Sequence, residues 1–156
     1  MSSSVLYQNE KQYILDFLPY LLHKQIVSNN QREIYKESNF DSSLDLSDFH
    51  SRVNEILDFI EVENNTRIYL LYMIKRLNDN AIYLSTKNIY HVFFISLLIS
   101  LKFLEDSIIP EQELTEITGI SSQKMSELES EALNLLSYEL HLSTEKFDEI
   151  CKDYMI

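Results

Sequence analysis

A chain of 156 residues with 45% hydrophobic content is long enough for one sizeable core and too apolar for global disorder. One glycine and two prolines are too few turn-formers for a sheet or sandwich, so the expected fold is all-α. The formal net charge of −12, with no basic stripe against it, opposes a phosphate backbone, and no nucleic-acid partner is expected.

Cys151 is the only cysteine, which excludes an intrachain disulfide and points to a reducing compartment, cytoplasm or nucleus. Met1-Ser2-Ser3-Ser4 has neither a basic n-region nor an apolar h-region, so no signal peptide is expected. Val92–Leu101 is too short to span a bilayer and is bracketed by His91 and Lys102, so no membrane is expected either. Without secretion, the sequon Asn64-Asn65-Thr66 is read as a chance match.

Gln8–Val27 reads as a first helix, with Tyr13, Ile14, Phe17, Leu18, Leu21 and Leu22 at helical spacing. Pro19 falls inside that pattern and predicts a kink or a break near Leu18. Ser28–Ser47 is polar and reads as a linker with one irregular turn around Ile34-Tyr35. A second helix is expected from Asp48 to Glu61, carrying Phe49, Val53, Ile56, Leu57 and Ile60 on one face. Asn65-Thr66 is the expected cap of a third, which runs to about Asn78. Thr86 is the expected cap of a fourth, ending near Glu105-Asp106. Pro110 opens a short fifth helix through Ile117, and Gly119 sits where a left-handed residue stops it. Ser121 or Ser122 caps a sixth helix to about Ser137, and Ser143 or Thr144 caps a last one, Glu145–Tyr154.

Lys102 ends the otherwise apolar run Val92–Leu104. With 100° per residue, Ile95, Leu98 and Ile99 flank it on its own facet, which predicts a cation held in an apolar zone. Such a cation needs a partner, or else its stem snorkels from the last turn of a core helix. On the sixth helix Glu129 lies inside the arc of Met125, Leu128, Ala132, Leu133, Leu135 and Leu136, whereas Glu127 and Glu131 lie on the wet face. Two such helices, packed together, would pair Lys102 with Glu129; alternatively Glu129 edges the interface and stays solvated.

Thr86-Lys87-Asn88-Ile89-Tyr90-His91 is followed by Ser100-Leu101-Lys102-Phe103-Leu104-Glu105-Asp106, then by Thr118-Gly119-Ile120-Ser121 and Met125-Ser126-Glu127-Leu128-Glu129. The series closes on Leu133-Asn134-Leu135-Leu136-Ser137-Tyr138-Glu139-Leu140. In this order the stretch Thr86–Leu142 resembles the cyclin box, and more narrowly the single-box phosphate-pathway (P/U-type) cyclins of fungi, plants and protists. A weaker resemblance extends over Ile68–Leu77 and over the first helix with Ser28-Asn29-Asn30.

The resemblance implies a cyclin-box five-helix core with an additional N-terminal helix and a C-terminal helix. The boundaries it suggests are 1–44 for the first helix and polar linker, 45–142 for the box, and 143–156 for a last helix packed on the box. It implies a non-catalytic regulatory subunit that binds and activates a cyclin-dependent Ser/Thr kinase as a heterodimer. Lys102 and Glu129 match the conserved kinase-engaging pair, and Phe103, Leu133, Tyr138 and Leu140 match apolar kinase contacts. No cofactor, metal or small-molecule substrate is implied.

Lys75 stands where the family has Asp and Glu55 where it has Arg, so a pair between them would be reversed in sign. The Met-Arg-Ala-Ile-Leu substrate-docking pattern of cell-cycle cyclins is absent.

An enzyme is the competing class. The chain has no Gly-rich phosphate loop, no His-Glu-x-x-His and no Cys cluster, and His23, His50, His91 and His141 are scattered. Glu105-Asp106 and Glu111 to Glu116 read as helix-end charges on a solvated face. Two further rivals keep the fold. One is a DNA-contacting transcription factor, which the acidic balance opposes. The other is an adaptor that binds helical proteins or transcription machinery without activating a kinase.

Overall fold

The computed structural model describes residues 18–42, 46–60, 62–80, 82–105 and 110–153. Among these there are seven helices and no strand: α1 Leu18–Gln31, α2 Leu46–Ile60, α3 Asn64–Asp79, α4 Ile89–Leu104, α5 Glu111–Thr118, α6 Ser122–Leu135 and α7 Thr144–Asp153. The expected all-α architecture is therefore present: five consecutive helices, α2–α6, with one helix before them and one after. Residues 8–17 of the expected first helix lie outside the described residues, as does Tyr154; Pro19 is the second residue of α1, in the first turn where proline is tolerated.

α4 is the axis of the core. It is apolar on nearly every side, and a helix of that kind must be surrounded. Tyr90, Val92, Phe93, Phe94, Ile95, Leu97, Ile99 and Leu101 are all buried. Ser100 is also buried, and its hydroxyl is satisfied by donating back to the Ser96 carbonyl at 2.7 Å. α3 gives α4 its most extensive contact and α6 the next. From α2, Phe49 meets Phe93 edge-on at 5.6 Å. α7 lies on α3, with Ile150 and Cys151 against Ile68. Among the described residues no helix is long and apolar enough to cross a membrane.

The helix ends show how a chain with one glycine turns corners. Gly119 is the C-cap of α5 at φ 70°, as expected, and its N–H reaches the Thr115 carbonyl at 2.9 Å. No atom lies within 4 Å of the place its Cβ would take, so Gly119→Ala meets no clash. The expected cost is the left-handed backbone alone, about 1–2 kcal/mol, measured as a fall in denaturation midpoint at constant slope. Elsewhere ordinary residues take the same conformation: Glu33 at φ 54° after α1, and Ser137 and Tyr138 at φ 55° and 56° after α6. Both of those ends close with Schellman bonds, Ile34 N–H to the Asn29 carbonyl and Tyr138 N–H to the Leu133 carbonyl.

At the N-termini the expected caps divide. Ser121 caps α6 by accepting from the Lys124 N–H at 3.2 Å, and Ser143 caps α7 by accepting from the Lys146 N–H at 3.1 Å. Asn65 and Thr66 do not cap α3, because the helix begins at Asn64 and its cap position is Glu63. Thr86 does not cap α4 either; Asn88 is the N-cap, and its side-chain oxygen accepts from the Ser85 N–H at 2.9 Å. Pro110 stands at the cap of α5 rather than inside it.

The segment expected to be a linker is partly structural. α1 continues to Gln31, which puts Asn29 on the buried face two turns after Leu22. The turn falls at Arg32-Glu33 rather than at Ile34-Tyr35, and a second lies at Asn39-Phe40. Phe40 is fully buried and joins the main core. The Nδ1 of His91 donates to its carbonyl at 2.9 Å, and the Ser42 N–H donates to the Lys87 carbonyl at 2.6 Å.

Burial pushes His91 below its usual pKa. Lys124 acts in the same direction, while the hydrogen bonding to Phe40 and Asp41 opposes it. A histidine lowered in the folded state takes up its proton first in the unfolded chain. Its contribution to stability is therefore present above about pH 6.5 and lost as pH falls below that value. Thermal melts of His91→Gln should accordingly show a smaller drop between about pH 7.5 and pH 5.5 than those of the unaltered chain.

Candidate functional site

The last turn of α4 and the middle of α6 carry the two charges. Met125, Leu128 and Ala132 bury one face of α6. Glu129 follows Leu128 around the helix and comes to the rim of that contact. Lys102 lies in the last turn of α4, where a cation also complements the helix dipole. Its Nζ donates to both carboxylate oxygens of Glu129, at 3.0 Å and 2.9 Å.

The pair forms, but the cation is not enclosed. The Lys102 side chain is 60% exposed and that of Glu129 21%. Angular position placed Lys102 among Ile95, Leu98 and Ile99 correctly, since Ile95 and Ile99 are buried and Leu98 is half-buried. The expectation of an apolar zone closed around it fails at the end of the helix: in the last turn of α4, Phe103 and Leu104 beyond Lys102 are exposed as well. In water a pair of this kind contributes only ~0.2–1 kcal/mol.

Around the pair runs a shallow groove lined by Ile99, Lys102, Phe103, Glu129, Leu133 and Leu140. Five of the six expected site residues thus line one depression. Phe103 is 44% exposed and stacks on Tyr69, ring centroids 5.6 Å apart with 25° between planes. Leu133 and Leu140 are half-buried against the core. Tyr138, the sixth, is 62% exposed and lies outside the lining, on the segment between Leu133 and Leu140.

A family model for cyclins matches residues 21–140. The chain belongs to the cyclin family. No curated protein matches it. Its role is accordingly of the cyclin type, that of a regulatory domain. Among the described residues of this cyclin, no three His, Cys, Asp or Glu side chains are grouped so as to hold a metal.

Glu55 and Lys75, the two positions of reversed sign, are both exposed, and no ion pair joins them. Glu55 points away from the buried face of α2, where Val53, Ile56 and Leu57 lie. Sequence reasoning passed over Tyr69 and Arg76, which support the groove from behind. Tyr69 Oη donates to the Leu140 carbonyl; Arg76 donates through Nη1 to the Glu139 carbonyl and through Nη2 to that of Leu136, the latter at 3.2 Å. Burial pushes the Tyr69 hydroxyl up to about 12, so it remains a donor throughout the physiological range. The available signal was their spacing of seven, which puts two polar-tipped side chains on one face of an apolar helix.

Proposed function

We propose that this cyclin is the regulatory subunit of a cyclin-dependent Ser/Thr kinase, of the single-box P/U type. We assign kinase docking to Lys102, Phe103, Glu129, Leu133, Tyr138 and Leu140. The observation that carries the reading is the two-pronged Lys102–Glu129 pair at the edge of an apolar groove, in a chain of this family.

The groove offers apolar walls to a helix laid along it, and the pair supplies the polar anchor. An ammonium has three N–H donors. Two point at Glu129, which leaves one for a main-chain carbonyl of the partner. Phe103, Leu133 and Leu140 receive apolar side chains, and Tyr138 meets the partner at the rim. Held in this way, the kinase αC helix is kept inward, where the kinase's own Lys–Glu pair and activation segment reach active geometry. The cyclin acts by binding that arrangement better than the inactive one.

The test is purification of the tagged chain from its native cells, followed by phosphotransfer assays on the recovered kinase with and without added cyclin. Recovery of a cyclin-dependent kinase whose activity rises on addition is the expected result. A kinase that binds without stimulation supports the adaptor reading instead, and salt-sensitive DNA retention without a kinase supports the transcription-factor reading.

A further inference from the structure

We propose that Tyr69 and Arg76 are positioning residues for partner docking: from one face of α3 they hold residues 136–140 in the left-handed turn that presents Tyr138 and Leu140. The docking role rests on the kinase reading above; the holding role does not.

Ser137 and Tyr138 are consecutive non-glycine residues at φ 55° and 56°. An L side chain disfavours this conformation at one position, and two in a row need outside support. α3 supplies it. Of the carbonyls in the segment, those of Leu136, Glu139 and Leu140 accept from Arg76 or Tyr69. The two taken by Arg76 stand on either side of the left-handed pair, so the guanidinium spans the turn like a bracket. Such a span needs a planar fork with fixed donors, which lysine lacks. The fork is itself steadied by lying over the Tyr72 ring, 5.6 Å from its centroid.

Tyr69 does a second thing. Its ring stacks on Phe103 while its hydroxyl holds Leu140, so one buried residue sets two walls of the groove. Tyr69→Phe keeps the ring and removes only the bond to Leu140. Arg76→Lys keeps the charge and removes the bracket. Ser137→Gly lowers the conformational cost of the turn without touching a docking residue.

The experiment combines these variants and reads two quantities. In the free cyclin, Tyr69→Phe or Arg76→Lys should speed amide exchange at residues 137–140 by about tenfold or more, with exchange in α4 and α6 unchanged. Affinity for the kinase recovered with the unaltered chain should fall about tenfold, and Ser137→Gly in the same chain should restore part of both losses. Unchanged exchange at residues 137–140 overturns the holding role. So does faster exchange throughout the protein that Ser137→Gly fails to reverse, because that pattern is a general loss of stability. Accelerated local exchange with unaltered affinity overturns the docking role. If the unaltered chain recovers no kinase, the kinase reading fails and the docking role with it, while the exchange data still judge the turn.

Discussion

Lys102→Ala should reduce kinase affinity by about a hundredfold or more while moving the melting temperature by no more than about 4 °C. The two numbers come from the same pair in two environments. In the free cyclin Lys102 is 60% exposed, so its bond to Glu129 is screened and contributes ~0.2–1 kcal/mol. At this chain length that is a few degrees at most. A partner laid in the groove removes the water. Glu129 then becomes a desolvated carboxylate, and stranding it without its cation costs about 3–5 kcal/mol, two decades or more in affinity. Glu129→Ala strands the ammonium and should behave alike. The double variant should lose much less than the two single losses combined, because each single change already breaks the same pair. Titration calorimetry with the purified kinase, beside thermal melts, reads both effects. Folded Lys102→Ala that binds and stimulates normally would falsify the docking assignment. A melting temperature lowered by more than about 10 °C would instead make the pair a structural pillar.

That separation of binding from stability was not visible in the sequence, although the pair itself was. A helical wheel gives direction around an axis, and direction brought Lys102 and Glu129 onto facing stripes. It does not give height along the axis. Whether the last turn of α4 is covered depends on which side chains its neighbours bring to that end of the bundle, and that is tertiary information. Gly119 was legible because a lone glycine at a helix end has one common use. Glu33, Ser137 and Tyr138 take the same backbone conformation without a compositional mark, since Schellman bonds and, at the second site, donors from α3 impose it. The polar stretch after α1 hid its content for a related reason. One fully buried phenylalanine, Phe40, anchors it, and a single apolar residue has no period to detect.

Asn29→Asp should lower the melting temperature by roughly 10–20 °C at neutral pH, while Asn30→Asp, one residue along, should change it little. Asn29 is buried; Asn30 is exposed. The Nδ2 of Asn29 donates to the Asn78 Oδ1 at 2.8 Å and to the Leu84 carbonyl at 3.0 Å, and its Oδ1 accepts from Gln25 at 3.0 Å. One amide thereby ties α1 to α3 and to the approach to α4. Aspartate keeps the Gln25 bond and loses both donors, so a buried carboxylate faces two oxygens. The Asn78 amide cannot flip to help, because its Oδ1 also accepts from the Leu84 N–H at 3.0 Å, and turning it would orphan that donor. The Leu84 carbonyl loses the Asn29 donor, the Asn78 Oδ1 keeps only the Leu84 N–H, and a charge is buried facing both, for about 3–5 kcal/mol in all. Asn29→Leu removes the same two donated bonds, and the Gln25 bond, without adding a charge, and should fall between the two aspartate variants. Burial raises the pKa of the new carboxyl above its unfolded value, so the penalty holds above the folded pKa and shrinks as pH falls through it. The melting gap between Asn29→Asp and Asn30→Asp should therefore narrow towards pH 4, where a protonated carboxyl again offers one donor. The helix-dipole effect of an added negative charge near the end of α1 is nearly common to both variants and drops out of the comparison. Equal melting temperatures at pH 7 would show that this buried amide does not join α1 to the rest of the fold.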